Sequence, residues 1–272
     1  MRIGNREFDT EHNTYIMGIL NVTPDSFSDG GRFNSLDNAL RHTQEMIQDG
    51  ADIIDIGGES TRPGYTGIPD EEEISRTAPV IEAVKKRFDI PVSIDTCKGP
   101  VAQAALQAGA DLVNDIWGFR HDTRVAELTA QYQAACCLMH NRREAVYRNF
   151  QEDFLSDLMI SLQTAKDAGV PDNKIILDPG VGFGKTYEMN LEIIRHVDIL
   201  HRLGYPILLG TSRKSVIGLT LDLPADQRVE GTIATSVIGV LKGCAFLRVH
   251  DIKENYRAVR MTEAILGRHA HG

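Results

Sequence analysis

Glycines that separate helical segments from apolar runs limit the possible folds of this chain more than any other feature of its sequence. Five times an amphipathic segment ends at a glycine, and an apolar run begins within about three residues. The five glycines are Gly50, Gly109, Gly169, Gly204 and Gly243. Glycine just beyond a helix adopts a left-handed conformation at little cost. Each glycine is therefore expected to end a helix.

The apolar runs are typical of strands in a parallel sheet. They are rich in Ile, Val and Leu and do not alternate with polar residues, which indicates burial on both faces. Eight such runs lie within residues 15–21, 51–58, 90–96, 110–118, 134–140, 170–180, 205–212 and 244–251. A helical pattern follows each run. The pattern predicts eight successive βα units.

Chain length agrees with this count. A barrel of eight βα units needs about 250 residues, and the chain has 272. We predict an α/β fold: a single (β/α)8 TIM barrel domain over residues 1–272, with a short N-terminal β extension from Met1 to Asp9. The alternative is an open doubly wound sheet, which needs a topological switch point that the sequence does not show.

Several helices can be placed from local patterns. Asp70 with Glu73, and Asp251 with Glu254, have the spacing of capping boxes. The segment from Val229 to Lys242 is nearly all small and apolar, so we expect it to be deeply buried.

Composition excludes several kinds of partner. The formal net charge is −9, which disfavours binding to nucleic acid or to an anionic membrane. No apolar run reaches the roughly 18 residues of a membrane helix, and no leader-like segment opens the chain. The four cysteines form no C-x-x-C pair and are interpreted as reduced thiols. We therefore expect a cytoplasmic protein without a membrane or nucleic-acid partner.

Polar residues follow all eight predicted strands, where the carboxyl ends of barrel strands converge on one mouth. They are Asn21, Asp55, Asp95, Asn114, His140, Asp178, Ser212 and Arg248. One such residue could be a strand-end cap or a supporting hydrogen bond. Eight together predict a binding site.

The side chains near these ends sort into three chemistries. Asp95, Asn114 and Asp178 can accept hydrogen bonds from the donor edge of a flat heterocycle. A second group suits a phosphate or pyrophosphate, namely Arg62, Arg248 and His250. The third offers apolar or polarisable surface to a ring, namely Ile116, Met139 and Phe183. The glycine-rich segment DPGVGFGK lacks phosphate-loop spacing and is interpreted as a place where backbone approaches a ligand.

These residues lie in motifs that resemble those of the dihydropteroate synthases. The motifs are GILNVTPDSFSDGG, IIDIGGESTRPG, SIDT, DLVNDIWG, LMH, ILDPGVGFGK, LLGTSRKS and LRVHD, in the family's order over about 230 residues. The resemblance implies a transferase that condenses 6-hydroxymethyl-7,8-dihydropterin pyrophosphate with 4-aminobenzoate. The products would be 7,8-dihydropteroate and pyrophosphate, in folate synthesis and with Mg²⁺ assisting. It also suggests a homodimer formed through barrel helices away from the mouth.

The resemblance further implies roles for single residues. The pterin would be held by Asp95, Asn114, Asp178 and Lys214, with Arg248 stacked on the ring and Ile116 and Met139 flanking it. The pyrophosphate would be held by Asn21, Arg62, Arg248 and His250, with Asn21 also contacting Mg²⁺. The aminobenzoate pocket would be lined by Thr61, Pro63, Phe183, Lys214 and Ser215. Thr61 and Phe183 would also border the first substrate, while Phe27 and Pro63 would close over the second.

A dissociative displacement suits these residues, with Asp95, Lys214 and Arg248 as the catalytic candidates. Departure of pyrophosphate leaves a pterin methylene cation, which Asp95 would stabilise, and the amine attacks afterwards. The alternative role for Lys214 is that of a general base, although an ordinary lysine pKa near 10.4 keeps it mostly protonated.

Three rival interpretations share parts of this site. A methyltetrahydrofolate–corrinoid methyltransferase would share the pterin-binding carboxylates but would not need Arg62, Arg248 and His250. A non-catalytic paralogue would bind pterin without turnover, and losses in the first motif would mark it. A Schiff-base aldolase would use Lys185 or Lys214, and borohydride would trap its carbonyl adduct.

Overall fold

A computed structural model describes residues 1–23, 31–59 and 67–268, with the backbone alone for residues 31–35. Two short strands open the chain as an antiparallel hairpin, β1 at Arg2–Ile3 and β2 at Arg6–Glu7. This hairpin is the predicted N-terminal β extension.

Eight parallel strands form the centre of the molecule. They are β3 (Tyr15–Asn21), β4 (Ile53–Gly57), β5 (Val92–Asp95), β6 (Leu112–Asp115), β7 (Ala135–Met139), β8 (Ile175–Asp178), β9 (Leu208–Leu209) and β10 (Phe246–Val249). Their order in the sheet is β8-β7-β6-β5-β4-β3-β10-β9. A parallel bridge between Leu177 of β8 and Ile207, just before β9, closes the sheet. The predicted (β/α)8 barrel is therefore confirmed.

Helices follow the strands and cover the barrel. Those within the described residues are α1 (Gly31–Gln48), α2 (Asp70–Arg87), α3 (Gly99–Gln107), α4 (Arg124–Gln131), α5 (Phe150–Asp167), α6 (Tyr187–Arg195), α7 (Ser215–Leu221), α8 (Val229–Leu241) and α9 (Ile252–Ile265). Across the described ranges, no helix is long and apolar enough to cross a membrane.

The five glycines from which the fold was inferred all have positive φ angles. These angles are 105° at Gly50, 104° at Gly109, 91° at Gly169, 81° at Gly204 and 76° at Gly243. An L side chain rarely adopts such angles, so glycine ends these segments without strain. The prediction made from them is confirmed.

Both predicted capping boxes are wrong. Helix α2 begins at Asp70 with Pro69 at its cap, and no side chain makes the capping hydrogen bond. At α9 the cap residue Asp251 also makes no such bond. Its carboxylate accepts from Arg213 instead, at 2.5 and 3.1 Å. At Asp251, a tertiary partner that the local spacing does not reveal competes successfully for the carboxylate.

Helix α8 is less buried than its composition led us to expect. Ile238 is 37% exposed and Leu241 is 56% exposed. They line an apolar groove of about 590 Å³ between α6, α7 and α8. An apolar sequence shows that a helix face needs cover, but it does not show whether the cover comes from the same chain.

The barrel interior changes character along its axis. Toward the amino ends of the strands, the hairpin residues Ile3 and Phe8 pack on a buried apolar cluster that includes Met17, Leu112 and Phe246. Toward the carboxyl ends, the interior carries polar side chains. The barrel therefore has an apolar floor and a polar mouth.

Candidate active site

Arg248 is the centre of the polar mouth. From β10 its Nε donates to Asp55 Oδ2 of β4 at 2.6 Å, and its Nη2 donates to Asp95 Oδ2 of β5 at 2.7 Å. The side chains of Asp55 and Asp95 are only 0% and 5% exposed. Asn114 of β6 joins the group, because its Nδ2 donates to Asp55 Oδ2 at 3.2 Å. Four strands thus contribute to one buried network.

A second group of side chains meets above Gly210, which follows β9. A methyl group placed on Gly210 would lie 3.6 Å from Asp178 Oδ2, 3.8 Å from Arg248 Cβ and 4.0 Å from Lys214 Nζ. Asp178 of β8 and Lys214 therefore lie beside Arg248. The structure brings together the residues predicted to bind the pterin and those predicted to be catalytic.

Asn21 lies on the other side of this network. A methyl group on Gly57 would lie 3.6 Å from Asn21 Oδ1 and 3.8 Å from Asp95 Oδ2. Unlike the carboxylates below it, Asn21 is exposed at the end of β3. Asn21 is therefore accessible at the mouth, whereas Asp95 is buried.

Electrostatics at Asp95 are a balance of opposing effects. Burial raises the pKa of Asp95 to about 7, the Arg248 guanidinium opposes that rise, and the negative charge of Asp55 adds to it. Asp55 Oδ1 and Asp95 Oδ1 are buried and accept no hydrogen bond within the described residues. Buried carboxylate oxygens are costly to leave unpaired, so both are candidate acceptors for a ligand.

Lys214 is positioned by the segment that follows β8. Its ammonium donates to the carbonyl oxygen of Val181 and lies 4.7 Å from the centroid of the Phe183 ring. Burial lowers the pKa of Lys214 to about 8; Asp178 opposes this effect and Arg248 strengthens it. The sequence-based argument assumed an ordinary lysine pKa, which the structure does not support. Lys214 can exchange a proton closer to neutral pH than expected.

The remaining candidates within the described residues lie at or after the carboxyl ends of barrel strands. His250, just after β10, pairs through Nδ1 with Ser212 Oγ at 2.9 Å, and its backbone N–H donates to the same hydroxyl at 3.1 Å. Met139, at the end of β7, is buried, and Ile116, just after β6, is half-buried. Ser215 is exposed at the start of α7. Phe27, Thr61, Arg62 and Pro63 lie outside the described residues, so their roles stay predictions.

Asp55 is the residue whose importance the sequence did not reveal. The sequence placed it at a strand end but assigned it no role. The structure shows it accepting from both Arg248 and Asn114. A carboxylate that accepts hydrogen bonds from two site residues orients both of them. The only signal of this role in the sequence was the position of Asp55, two residues before the end of β4.

The site fits a magnesium ion only together with an anionic ligand. Among the described residues, no group of three His, Cys, Asp or Glu side chains could hold a metal. Mg²⁺ commonly keeps several waters and binds through one or two carboxylates plus substrate phosphates. Asn21, which is exposed at the mouth, offers an amide oxygen in place of a carboxylate.

Comparisons with known proteins agree with this geometry. A family profile described as pterin binding enzyme matches residues 17–250. The dihydropteroate synthase of Clostridium beijerinckii is 60% identical over 269 residues, which cover 98% of this chain and 100% of that protein.

Two solved structures extend the likeness to the fold. The dihydropteroate synthase of Clostridium difficile, crystallised in the presence of pteroic acid, is 52% identical with a TM-score of 0.93, covering 95% of this chain and 99% of that one. The enzyme of Xanthomonas albilineans with 4-aminobenzoic acid is 38% identical with a TM-score of 0.89, covering 93% of each chain. Sequence, fold and the chemistry of the mouth agree, and the chain belongs to the pterin-binding enzymes, within the group of dihydropteroate synthases.

Proposed function

We propose that this chain condenses 6-hydroxymethyl-7,8-dihydropterin pyrophosphate with 4-aminobenzoate to give 7,8-dihydropteroate and pyrophosphate. The observation that carries the proposal is the Arg248 guanidinium held between Asp55 and Asp95 beside Asp178 and Lys214. Acceptors for a heterocycle and cations for a leaving anion occupy one mouth. Relatives that were solved with pteroic acid and with 4-aminobenzoic acid support the substrate pair.

Recognition of the pterin follows from the acceptors of the mouth. The ring carries several N–H donors along one edge, and a carboxylate can accept two parallel N–H bonds. Asp178 keeps Oδ2 near the space above Gly210, while its Oδ1 accepts from the Gly180 backbone N–H at 2.7 Å. Asp95 and Asn114 form hydrogen bonds with the adjoining edge of the pterin ring. The half-buried Ile116 and the buried Met139 flank the ring.

Departure of pyrophosphate requires positive charge where negative charge grows. Arg248 and His250 lie at the end of β10 and after it, on the side of the mouth where barrel enzymes often bind phosphate. Arg62 belongs to the same proposed group. When bound, Mg²⁺ would supply further charge neutralisation at the pyrophosphate, and Asn21 would be its protein ligand. Arg248 and His250, which the fold places at the mouth, would then stabilise the charge of the leaving group.

The carbon left behind is a methylene cation conjugated with the pterin ring. Asp95 lies deep in the mouth, and an ionised carboxylate there stabilises that cation. Its Arg248 partner favours ionisation, against the effect of burial. The aromatic amine of 4-aminobenzoate then attacks and afterwards loses a proton. Burial lowers the pKa of Lys214 to about 8, so part of Lys214 is a neutral amine near neutral pH, and that form can take up the proton after the C–N bond has formed.

The aminobenzoate pocket is proposed at Phe183, Lys214 and Ser215, together with Phe27, Thr61 and Pro63. The Lys214 ammonium over the Phe183 ring combines a cation with an aromatic face. That combination suits an aromatic carboxylate. Replacing the carboxylate of 4-aminobenzoate by a neutral ester should therefore weaken binding strongly.

Activity is tested by mixing the protein with both substrates and Mg²⁺ and following pyrophosphate release. Release that depends on 4-aminobenzoate supports the proposal, and its absence from folded protein would end it. Asp95→Asn should lower turnover about a hundredfold, on the scale of lost charge stabilisation in a transition state. Turnover within about twofold of the unaltered protein would remove Asp95 from the mechanism.

We also propose that the chain forms a homodimer through the groove between α6, α7 and α8. Leu219, Leu221, Ile238 and Leu241 are exposed at or near this groove. Large exposed apolar patches on a soluble domain usually mark an interface.

Four cysteines without a disulfide, three of them buried, support a reducing, cytoplasmic location.

The dimer is tested by sedimentation at several protein concentrations. Leu241→Asp should give a monomer, because it places a charge in the apolar groove. Ile160→Asp is the matched control, since Ile160 is 53% exposed on α5 and does not line the groove. If the two variants sediment equally, the dimer interface lies outside this groove.

A further inference from the structure

A series of hydrogen-bonded polar side chains lies beneath the glycine-rich loop, which we define as residues 178–186. At the end of this loop, the Lys185 ammonium donates to Gly180 O at 2.9 Å and to Phe183 O at 3.0 Å. It also lies 2.9 Å from His140 Nδ1. An ammonium has three N–H donors, and here it meets three acceptors. Its hydrogen-bonding capacity is fully used within the protein.

His140 can accept from Lys185 only in one tautomer. Its Nε2 lies 3.0 Å from Asp157 Oδ2 on α5, and a carboxylate can only accept. The ring proton therefore resides on Nε2, which leaves the lone pair of Nδ1 for Lys185. Burial lowers the pKa of His140 to about 4, so the ring is neutral at neutral pH.

Asp157 is itself held in place. Arg142 Nε donates to its Oδ2 at 2.6 Å, and Arg142 Nη2 donates to its Oδ1 at 3.2 Å. The hydrogen bonds to His140 and Arg142 lower the pKa of Asp157, against the effect of burial. It stays ionised and fixes the orientation of the His140 ring.

The backbone of the glycine-rich loop connects these hydrogen-bonded side chains to the active site. The carbonyl of Val181 accepts from Lys214, and the Phe183 ring lies 4.7 Å from the Lys214 ammonium. Gly180 has a φ of 67°, and a Cβ there would lie 1.9 Å from the carbonyl oxygen of His140. The loop therefore packs directly on His140 and has little freedom of its own.

We propose that Lys185, His140 and Asp157 form a hydrogen-bonded triad that positions the glycine-rich loop and, through it, Lys214 and Phe183. Lys185 is a positioning residue and does not contact the substrates. The inference rests on the proposed function, since that function assigns Lys214 and Phe183 to both substrates.

Charges on several elements act on Lys185. Burial lowers the pKa of its ammonium, and Asp178 and Asp157 oppose this effect. The positive charges of Lys214 and Arg142 strengthen it. A neutral amine would have only two N–H groups for the three acceptors. Only the charged form therefore has a donor for each of the three acceptors, and burial disfavours that form by lowering its pKa to about 7.

The first experiment compares two aspartates of α5. Asp157→Ala removes the acceptor that sets the His140 tautomer. Asp153→Ala is the matched control, because Asp153 also pairs with Arg142, at 3.7 Å, whereas the carboxylate that pairs with His140 is Asp157. We expect Asp157→Ala to raise KM for 4-aminobenzoate about tenfold, on the scale of groups that orient a ligand contact, with the control within twofold.

A spectroscopic readout accompanies this comparison. The ¹⁵N chemical shifts of the His140 ring report which nitrogen carries the proton. Protonated Nε2 is expected in the unaltered protein, and a mixture of tautomers in Asp157→Ala. Equal KM values for the two variants, or protonated Nδ1 in the unaltered protein, would overturn the triad. This readout does not depend on activity, and the turnover of the unaltered protein separately tests the proposed function.

The second experiment uses chemical rescue. Lys185→Ala should raise KM for both substrates, and added propylammonium, which supplies three N–H donors, should restore them saturably. The matched additive is 1-propanol, which has similar size but one donor. Equal rescue by both additives would show that Lys185 only fills space, and unchanged KM values in Lys185→Ala would show that it positions nothing. Either result would contradict the proposal.

Discussion

The floor and the mouth of the barrel are built from the same strands but have opposite chemistry. On β10 the interior residue Phe246 lies in the floor, and Arg248 lies in the mouth. On β8 the pair is Ile176 and Asp178, and on β6 it is Leu112 and Asn114. Residues two apart on a strand share a face and lie about 6.6 Å apart along it. Two residues therefore separate a packed core from a binding site.

The two ends also differ in how their side chains are satisfied. In the floor, apolar side chains pack on one another: Phe246 packs against Phe8 with ring centroids 5.7 Å apart, and both are buried. In the mouth, Asp55 Oδ1 and Asp95 Oδ1 lack hydrogen-bond partners among the described residues. Incomplete pairing costs stability, and a bound ligand can relieve it. The floor contributes stability, and the mouth gives up some stability for binding.

The sharpest test of this division replaces Arg248. Arg248→Met should lower turnover about a hundredfold to a thousandfold, since a cation facing the leaving group is lost. It should also lower the free energy of unfolding by about 3–5 kcal/mol, because two buried carboxylates lose their partner. Pyrophosphate release and urea unfolding measure the two effects.

Arg260→Met serves as the control for Arg248→Met. Arg260 pairs with the buried Glu263 at 2.7 Å and donates to Thr14 O, away from the mouth. Stability should fall in this variant while turnover per folded molecule is kept. Loss of turnover in both variants would mean that mouth and framework are not separable.

The floor should respond in the opposite way. Phe246→Ala should lower the free energy of unfolding by about 3–5 kcal/mol through loss of a large buried ring. KM and turnover per folded molecule should stay within about twofold at a temperature where the variant is folded. A large rise in KM would show that packing at the floor sets the geometry of the mouth.

Asp55 tests whether orientation within the mouth matters as much as direct contact. Asp55→Asn keeps the shape of the side chain but weakens its hold on Arg248 and Asn114. We expect kcat/KM to fall about tenfold, less than for Arg248→Met, on the scale of a residue that orients others. Steady-state kinetics with both substrates would check this. An effect as large as that of Arg248→Met would indicate direct contact with substrate.

The smallest expected effect concerns pH. Because burial raises the pKa of Asp95 from 3.8 to about 7, the folded state binds its proton more tightly than the unfolded state. The contribution of Asp95 to stability therefore falls as pH rises through that interval. Asp95→Asn lacks this contribution. From pH 4 to pH 7, its free energy of unfolding should therefore rise by about 1 kcal/mol or more relative to that of the unaltered protein. If the free energies of unfolding of the two proteins change in parallel with pH, Arg248 cancels the effect of burial on Asp95.

The sequence alone identified all eight barrel strands and the polar residues at their ends. Both features are local: a doubly buried parallel strand is continuously apolar, and it changes to polar residues where it reaches the mouth. Gly50 and the four glycines like it ended their segments as predicted. The family motifs then supplied residue roles that no local pattern contains.

Only the tertiary structure decided which of these residues are partners. Arg248 pairs with Asp55, 193 residues away, and with Asp95, 153 residues away. Asp251 looked like a helix cap but pairs with Arg213. Local sequence records which side chains are polar or apolar, whereas the choice of partner depends on distances that exist only after the chain has folded. For the same reason the sequence could not show that Lys185, His140 and Asp157 meet beneath one loop.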